Sequence, residues 1–308
     1  MIRRCQYKYE EMKFYIKGKK VIKAVLRFAL HILPKPASMV IIRLCPVLFY
    51  LFPKDREYII PFLGKYRIHV QPLYATECNI VAGFEPEVIG IVQKHVKSGM
   101  VALDIGANVG AISIALADKV GPSGMVFSFE PGPGTFSRLN RNLSLNPSIT
   151  SIISPQNMGC AEKNSVMVYH ELAHARGNAI LGDLDAKWEA YESHQVNVIK
   201  IDSFVTEKRI RKVDFMKIDV ERMEFNVLLG CKETLEKFHP VICFETLPDM
   251  GVLNMTGGEN FKRIEIFLTS LGYNLYRMEG KSSSRRATPE NFTLNILAVA
   301  GTTGGGIG

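Results

Sequence analysis

Residues 101–110, VALDIGANVG, constrain this chain more than any other stretch, and they belong with residues 125–131, MVFSFEP. An apolar run, Val101, Ala102 and Leu103, ends on Asp104. Ile105, Gly106, Ala107, Asn108, Val109 and Gly110 follow, and then Ile112, Ala115 and Leu116 recur at helical spacing. The order is strand, glycine turn, helix. The second stretch is a short apolar strand that ends on Glu130. Two parallel strands joined by a helix, with carboxylates at their carboxyl ends, make the first βαβ unit of a doubly wound sheet.

The spacing restricts the ligand. Gly106 and Gly110 leave the backbone bare for close approach. Glu130 follows Gly110 by twenty residues, as expected of an acid that takes both hydroxyls of a ribose. The dinucleotide fingerprint is not spelled, because Asn108 stands where a pyrophosphate most needs glycine, and Asp104 would repel a phosphate. A cationic ligand with a ribose fits better, and S-adenosylmethionine is one: a sulfonium, an ammonium and an adenosine. A βαβ unit with no ligand is the plainer alternative. Asp104, both glycines and Glu130 in one register speak against it.

The chain has 308 residues, enough for one large α/β domain and an extension. Its net charge of +8 is uneven: residues 1–30 hold nine Lys or Arg and two Glu, or +7, which leaves +1 for the rest. The basic balance therefore describes an N-terminal arm, not a nucleic-acid-binding catalytic domain. Within the arm, Lys19, Lys23, Arg27 and His31 recur every four residues beside an otherwise apolar 21–33, which reads as an amphipathic basic helix stopped by Pro34 and Pro36. A second apolar run, 39–52, is interrupted by Arg43 and Pro46 and falls short of the roughly 20 residues of a spanning helix. We expect residues 1–57 to form a basic, hydrophobic extension that anchors at a membrane interface. A helical extension packed on the domain or on a second subunit is the alternative. Six scattered cysteines without a C-x-x-C pair point to a reducing, cytoplasmic compartment.

Residues 58–300 are expected to be the α/β domain and 301–308 a flexible tail. Short strands at 67–70 and 79–81 and a helix at 86–96 lead in. The core follows: strand 100–105, helix 108–119, strand 125–130, a helix to 145, and strands at 149–158, 165–170 and 196–201. Strand 213–220, helix 223–237, strand 241–245 and helix 259–271 complete it, with 273–278 and 292–300 as a closing antiparallel pair around a polar loop. The alternation predicts a mostly parallel sheet with helices on both faces.

Asp219 and Glu221 lie at and just beyond the end of strand 213–220, and Glu245 ends strand 241–245. In a doubly wound sheet these ends line the ligand crevice, together with Asp104 and Glu130. Acids there suit a cationic cofactor, can serve as a general base for a hydroxyl, and could hold a divalent metal, although no metal-ligand motif is assigned. The plainer role for Asp219 and Glu221 is capping the next helix. His170, His174 and His194 fall in a mixed segment near Trp188, and none is assigned a role.

GFEPEV at 83–88, DIGANVG at 104–110, FEP at 129–131, KIDVE at 217–221 and FET at 244–246 together resemble the FkbM-type S-adenosylmethionine-dependent methyltransferases. The strong part covers about 100–246. The resemblance implies a class I Rossmann-like methyltransferase fold, S-adenosylmethionine as methyl donor, and O-methylation of a small molecule, sugar or lipid-linked glycan. It places Asp104, Gly106, Asn108, Gly110 and Glu130, with Pro131 after it, at the cofactor and Asp219 beside the transferred methyl; Glu221 and Glu245 are catalytic candidates from their places at the strand ends. One departure stands out: Arg222 and Met223 occupy positions where the family has Gly and a small residue. That bulky pair motivates the other reading, a catalytically inactive binding or scaffold protein at a membrane. Oligomerisation is left open.

Overall fold

The computed structural model describes residues 52–53, 56–83, 85–172, 179–181, 191–220, 223–246, 257–279, 282–288 and 295–301. The expected N-terminal helix, Glu221, Arg222, His174, Trp188 and most of the tail lie outside them. The chain divides into two compact units, residues 1–60 with 69–84, and residues 61–68 with 85–308.

In the first unit, Phe52 is buried and meets Tyr58 edge-on, with ring centroids 5.5 Å apart. Helix α1 (Ala75–Gly83) occupies the place where a strand at 79–81 was expected. Two adjacent apolar residues, Ile80 and Val81, did not outweigh the helical run around them. The buried Glu77 carboxylate also fixes the entry by accepting the Gln71 N–H at 2.5 Å. Strands β1 (Tyr58–Phe62) and β2 (Tyr66–Val70) form a two-stranded sheet. Its tip belongs to the second unit, where Tyr66 donates to Asp118 at 2.8 Å and the Arg67 N–H to Asn146 at 2.9 Å.

The second unit is built on a central sheet. In chain order its strands are β3 (Val101–Ile105), β4 (Met125–Phe129), β5 (Ile153–Gln156), β10 (Phe215–Ile218), β11 (Val241–Glu245), β12 (Tyr273–Glu279), β13 (Ser282–Arg286) and β14 (Asn295–Ala300). Their spatial order is β13-β12-β14-β11-β10-β3-β4-β5. The five strands from β11 to β5 pair in parallel, whereas β14 runs antiparallel to both β11 and β12. This is the expected doubly wound sheet with its closing antiparallel pair. The polar loop between that pair adds an edge strand, β13, antiparallel to β12. Ser-Ser-Ser-Arg-Arg carries no periodic apolar signal in the sequence, and its pairing with β12 depends on the fold.

The central strands are buried on both faces, as a parallel sheet under helices requires. The helices are α2 (Pro86–His95), α3 (Ala111–Val120), α4 (Pro133–Ser144), a single turn α5 (Pro147–Thr150), α6 (Ile201–Glu207), α7 (Glu224–Gly230), α8 (Lys232–Phe238) and α9 (Gly257–Ser270). One core joins Leu103, Phe129, Phe204, Met216, Leu228, Phe244, Phe261 and Ile296. The single helix expected over 223–237 is two, broken at Cys231. Asp202 of α6 supplies the reason: its carboxylate accepts the N–H groups of Glu233 (3.2 Å) and Thr234 (2.9 Å) and so caps a new helix start. Likewise, 149–158 is a helical turn followed by a shorter strand, and Ile201 begins α6.

A second sheet lies between β5 and β10 in sequence. It contains β6 (Gly159–Cys160), β7 (Ser165–Leu172), β8 (Ala179–Leu181) and β9 (Tyr191–Ile199), in the order β6-β9-β7-β8. Tyr169, Val196 and Val198 bury one face of it around Ala161, and Met167 and Met223 pack against them. Met223 of the departing pair is thus a packing residue. Among the described residues no helix is long and apolar enough to cross a membrane.

Candidate active site

The turn after β3 is tied to the end of β4: the N–H groups of Gly106 and Ala107 donate to the Phe129 carbonyl at 3.0 and 2.9 Å. Gly106 has φ +84°, and a Cβ there would lie 1.8 Å from the carbonyl oxygen of Asp219. Its first reason to be glycine is therefore the approach of the chain leaving β10, whose Asp219 N–H donates to the Ile105 carbonyl at 2.9 Å. Asn108 also has positive φ, +50°, which asparagine tolerates better than most residues. Gly110 closes the turn and precedes α3.

Glu130 organises the other side. It is buried, and its two carboxylate oxygens accept backbone N–H groups, Oε2 from Asn108 at 3.0 Å and Oε1 from Gly132 at 2.9 Å. The Tyr169 hydroxyl of β7 stands 3.5 Å from Oε1. Tyr169 lies so close over Gly132 that a Cβ there would come within 2.6 Å of its hydroxyl. The Glu130 and Pro131 carbonyls both accept from Asn157 Nδ2, at 2.9 and 3.1 Å. One carboxylate thus sets the spacing between the two strand-end turns. The Asn108 side-chain oxygen, Oδ1, is buried without a hydrogen-bond partner.

A second group of charges crosses the sheet. Ser128, Asp104, Lys217 and Cys243 are lateral neighbours on β4, β3, β10 and β11. Asp104 is fully buried and accepts from Ser113 Oγ of α3 at 2.5 Å, and Ser113 in turn accepts from Ser128 Oγ at 2.8 Å. Burial raises the Asp104 carboxyl to about 6 against the Ser113 bond and the Lys217 charge, which favour ionisation. Lys217 is 1% exposed, and its Nζ lies 3.1 Å from Asp219 Oδ2. Burial opposes its charge, but Asp219 and Glu85 outweigh burial and hold it well above the ordinary lysine range. Asp219 shows the reverse balance: burial pushes it up, while Lys217 and a hydrogen bond shared with Glu245 hold it below the usual carboxylate value. Burial, first of its causes, also raises the Cys243 thiol to about 12.

Asp104, Asp219 and Glu245 thus gather around Lys217, and Asn108, Glu130 and Pro131 around the turn. Glu221 lies outside the described residues. His170 bonds Ser193 on the second sheet through Nδ1, at 2.8 Å, and His194 is the lateral neighbour of Tyr169. Three participants went unassigned in the sequence. Lys217 was legible as a charge inside an apolar strand. Glu85 was visible only as part of GFEPEV. Tyr169 gave no signal, because its place depends on the fold of the second sheet.

The residues fit S-adenosylmethionine. Among the described residues, four carboxylates (Glu85, Asp104, Asp219 and Glu245) act on one ammonium, Lys217, so the group favours a cation. The unpartnered buried atoms, Asn108 Oδ1 and Glu85 Oε2, both accept hydrogen bonds. Such a set suits a ligand rich in hydroxyl and ammonium donors and repels a pyrophosphate.

Residues 104–275 match the family of the methyltransferase FkbM domain. The chain is 26% identical over 158 residues to the hexuronic acid methyltransferase AglP of Haloferax volcanii, an alignment spanning 51% of this chain and 61% of that protein. It is 22% identical over 203 residues to the methyltransferase sdnD of Sordaria araneosa, covering 57% of this chain and 74% of that one. Among solved structures, the methyltransferase FkbM of Methylobacillus flagellatus superposes with a TM-score of 0.45 at 14% identity, over 72% of this chain and 54% of that one. With the family's domain matched over more than half of its length, this chain belongs to the FkbM family of S-adenosylmethionine-dependent methyltransferases.

Proposed function

We propose that the protein transfers a methyl group from S-adenosylmethionine to an oxygen of a hydroxylated small molecule, a sugar or a lipid-linked glycan, and that its basic N-terminal arm holds it at an anionic membrane surface. The observation that carries the catalytic part is the pairing of Glu130, bonded to both strand-end turns, with the carboxylate-rich group around Lys217. When bound, the cofactor supplies an electrophilic methyl group that an oxygen can attack in line. Glu130 and the backbone at Gly106, Asn108 and Gly110 would hold its ribose side, and Pro131 fixes the chain beyond Glu130. Asp104 and Asp219 would hold its cationic end.

The acceptor hydroxyl must lose its proton. Asp219, kept ionised by Lys217, is poised to orient that hydroxyl and stabilise charge rather than to store a proton. Glu245 holds the proton of the hydrogen bond it shares with Asp219, so as Asp219 takes the acceptor's proton Glu245 can release its own to water. The excess of carboxylates favours a neutral hydroxyl over an anionic acceptor. The naming of AglP as a hexuronic acid methyltransferase makes sugar acceptors the first class to test.

The test is transfer of labelled methyl from S-adenosylmethionine to a panel of neutral sugars, uronic acids, small alcohols and lipid-linked glycans. Label in an O-methyl ether of one class is expected. Label only on nitrogen or carbon acceptors, or binding of the cofactor with no turnover on any class, would overturn the proposal.

A further inference from the structure

We propose that Glu85 recognises the positive charge of the methyl donor, and that it releases a proton when S-adenosylmethionine binds, so that the cationic donor is preferred over the spent product S-adenosylhomocysteine. The inference rests on the proposed function and deepens it, since it concerns the same site.

Glu85 stands immediately before Pro86, at the entry of α2, with left-handed backbone angles of φ 37° and ψ 59°. Its carbonyl accepts the Ile89 N–H at 3.0 Å, which anchors the first turn of the helix. Helix α2 packs on α3 and on β11, β13 and β14, so the residue at its entry is held against the sheet, and β13 carries Arg285 and Arg286. Glu85 Oε2 is buried and has no hydrogen-bond partner. The described charges that act on it are Lys217 and Asp219 from β10 and Asp104 from β3, and Cys243 of β11 is the lateral neighbour of Lys217. Glu245 at the end of β11 acts on the same lysine.

This arrangement has a charge imbalance. Among the described residues that act on Glu85, Lys217 is the cation and is committed to Asp219 at 3.1 Å, while Asp104 adds a further carboxylate. The free protein relieves the excess by holding protons. Burial, with Asp219 and Asp104 nearby, raises the Glu85 carboxyl to about 7 in spite of Lys217. A cation that enters does the same work as the proton and displaces it. S-adenosylmethionine brings a sulfonium, an ammonium and a carboxylate, a net charge of +1. S-adenosylhomocysteine has lost the sulfonium charge and is neutral overall. The two ligands share every other group, so their ratio of affinities isolates the charge.

The sign follows from linkage. Below its folded value Glu85 is neutral and distinguishes the ligands weakly. Above that value it is a carboxylate and favours the cation. The ratio of the S-adenosylhomocysteine Kd to the S-adenosylmethionine Kd should therefore rise at least about threefold between about pH 6 and about pH 8. In Glu85→Gln the ratio should be flat over that range, because loss of one negative charge also moves the Asp104 titration downward.

Isothermal titration of the full chain reads both constants across this range. Repeating it near pH 7 in buffers of different ionisation heat counts the protons, and S-adenosylmethionine should release more than S-adenosylhomocysteine. A flat ratio in the wild type, equal proton counts for the two ligands, or a full rise retained in Glu85→Gln would each overturn the proposal while leaving the methyltransferase site in place. If neither ligand binds at any pH, the site reading falls and takes the proposal with it. If the variant does not fold, the wild-type proton count decides.

Discussion

Glu130 carries two roles that one substitution can weigh. Its oxygens already accept the N–H groups of Asn108 and Gly132, so it shapes the turn before any ligand arrives. A ribose would use the remaining lone pairs of the same oxygens, through charge-assisted bonds of roughly 1.5–3 kcal/mol each. Glu130→Gln keeps the size, removes the charge, and puts an amide N–H where one backbone donor now points. We expect S-adenosylhomocysteine affinity to fall by about 10–100-fold, with the fold intact by circular dichroism. Unchanged affinity in calorimetry would remove Glu130 from the cofactor site. Much of this was legible in the sequence, because Asp104, Gly106, Asn108, Gly110 and Glu130 have fixed spacing along one βαβ unit. The closeness of Gly106 to the Asp219 carbonyl was not, since it depends on which strand lies beside β3. The same holds for Lys217. From the sequence it is a polar residue in a strand, and only the lateral register puts it between Asp104 and Cys243.

At the scale of elements, β10 is the strand on which the charged group depends. Phe215, Met216, Lys217 and Ile218 are all buried, so the lysine cannot reach water, and its ion pair with Asp219 runs along the strand. Removing one partner of a buried pair leaves the other charges uncompensated and costs about 3–5 kcal/mol. Lys217→Met should therefore destabilise the protein by roughly that amount near neutral pH, measured by urea unfolding. The loss should be smaller at low pH than at high pH and should level off below about 6: Lys217 lowers both carboxyls, so without it Glu85 and Asp104 protonate above the values of about 7 and about 6 that they have beside it, and protonation neutralises them. A loss independent of pH would mean that packing, not charge, sets its size. Element identity was legible wherever a segment carried its own pattern, as in β3, β4, β11 and α2. It failed where a distant residue decided the outcome. Asp202 on α6 breaks 223–237 into two helices, and pairing on β12 turns a polar loop into β13. The second sheet shows the same dependence on the fold: Met223, one of the bulky pair that departs from the family pattern, packs against the cluster of Tyr169 and Val196.

For the whole molecule, the open question is what the basic arm does, and the fold fixes where to cut it. Phe52 is 1% exposed and meets Tyr58 edge-on within the first unit, so a deletion that removes it would damage that packing. The deletion should therefore end at residue 51. Residues 1–30 hold +7 of the chain's +8, and basic residues near an anionic membrane contribute about 1 kcal/mol each, a pull that falls off within a Debye length. The full chain should sediment with vesicles containing phosphatidylserine, less with purely zwitterionic vesicles, and less again as salt is raised. The chain lacking residues 1–51 should stay in the supernatant, bind S-adenosylhomocysteine with unchanged affinity, and methylate soluble acceptors at the full-length rate. Activity on lipid-linked acceptors in vesicles should fall at least about tenfold on truncation, because the arm raises the local concentration at the surface. If the truncated protein loses cofactor binding, the arm is part of the folded domain. If the full chain ignores anionic vesicles, the charge serves a protein partner and the membrane proposal fails.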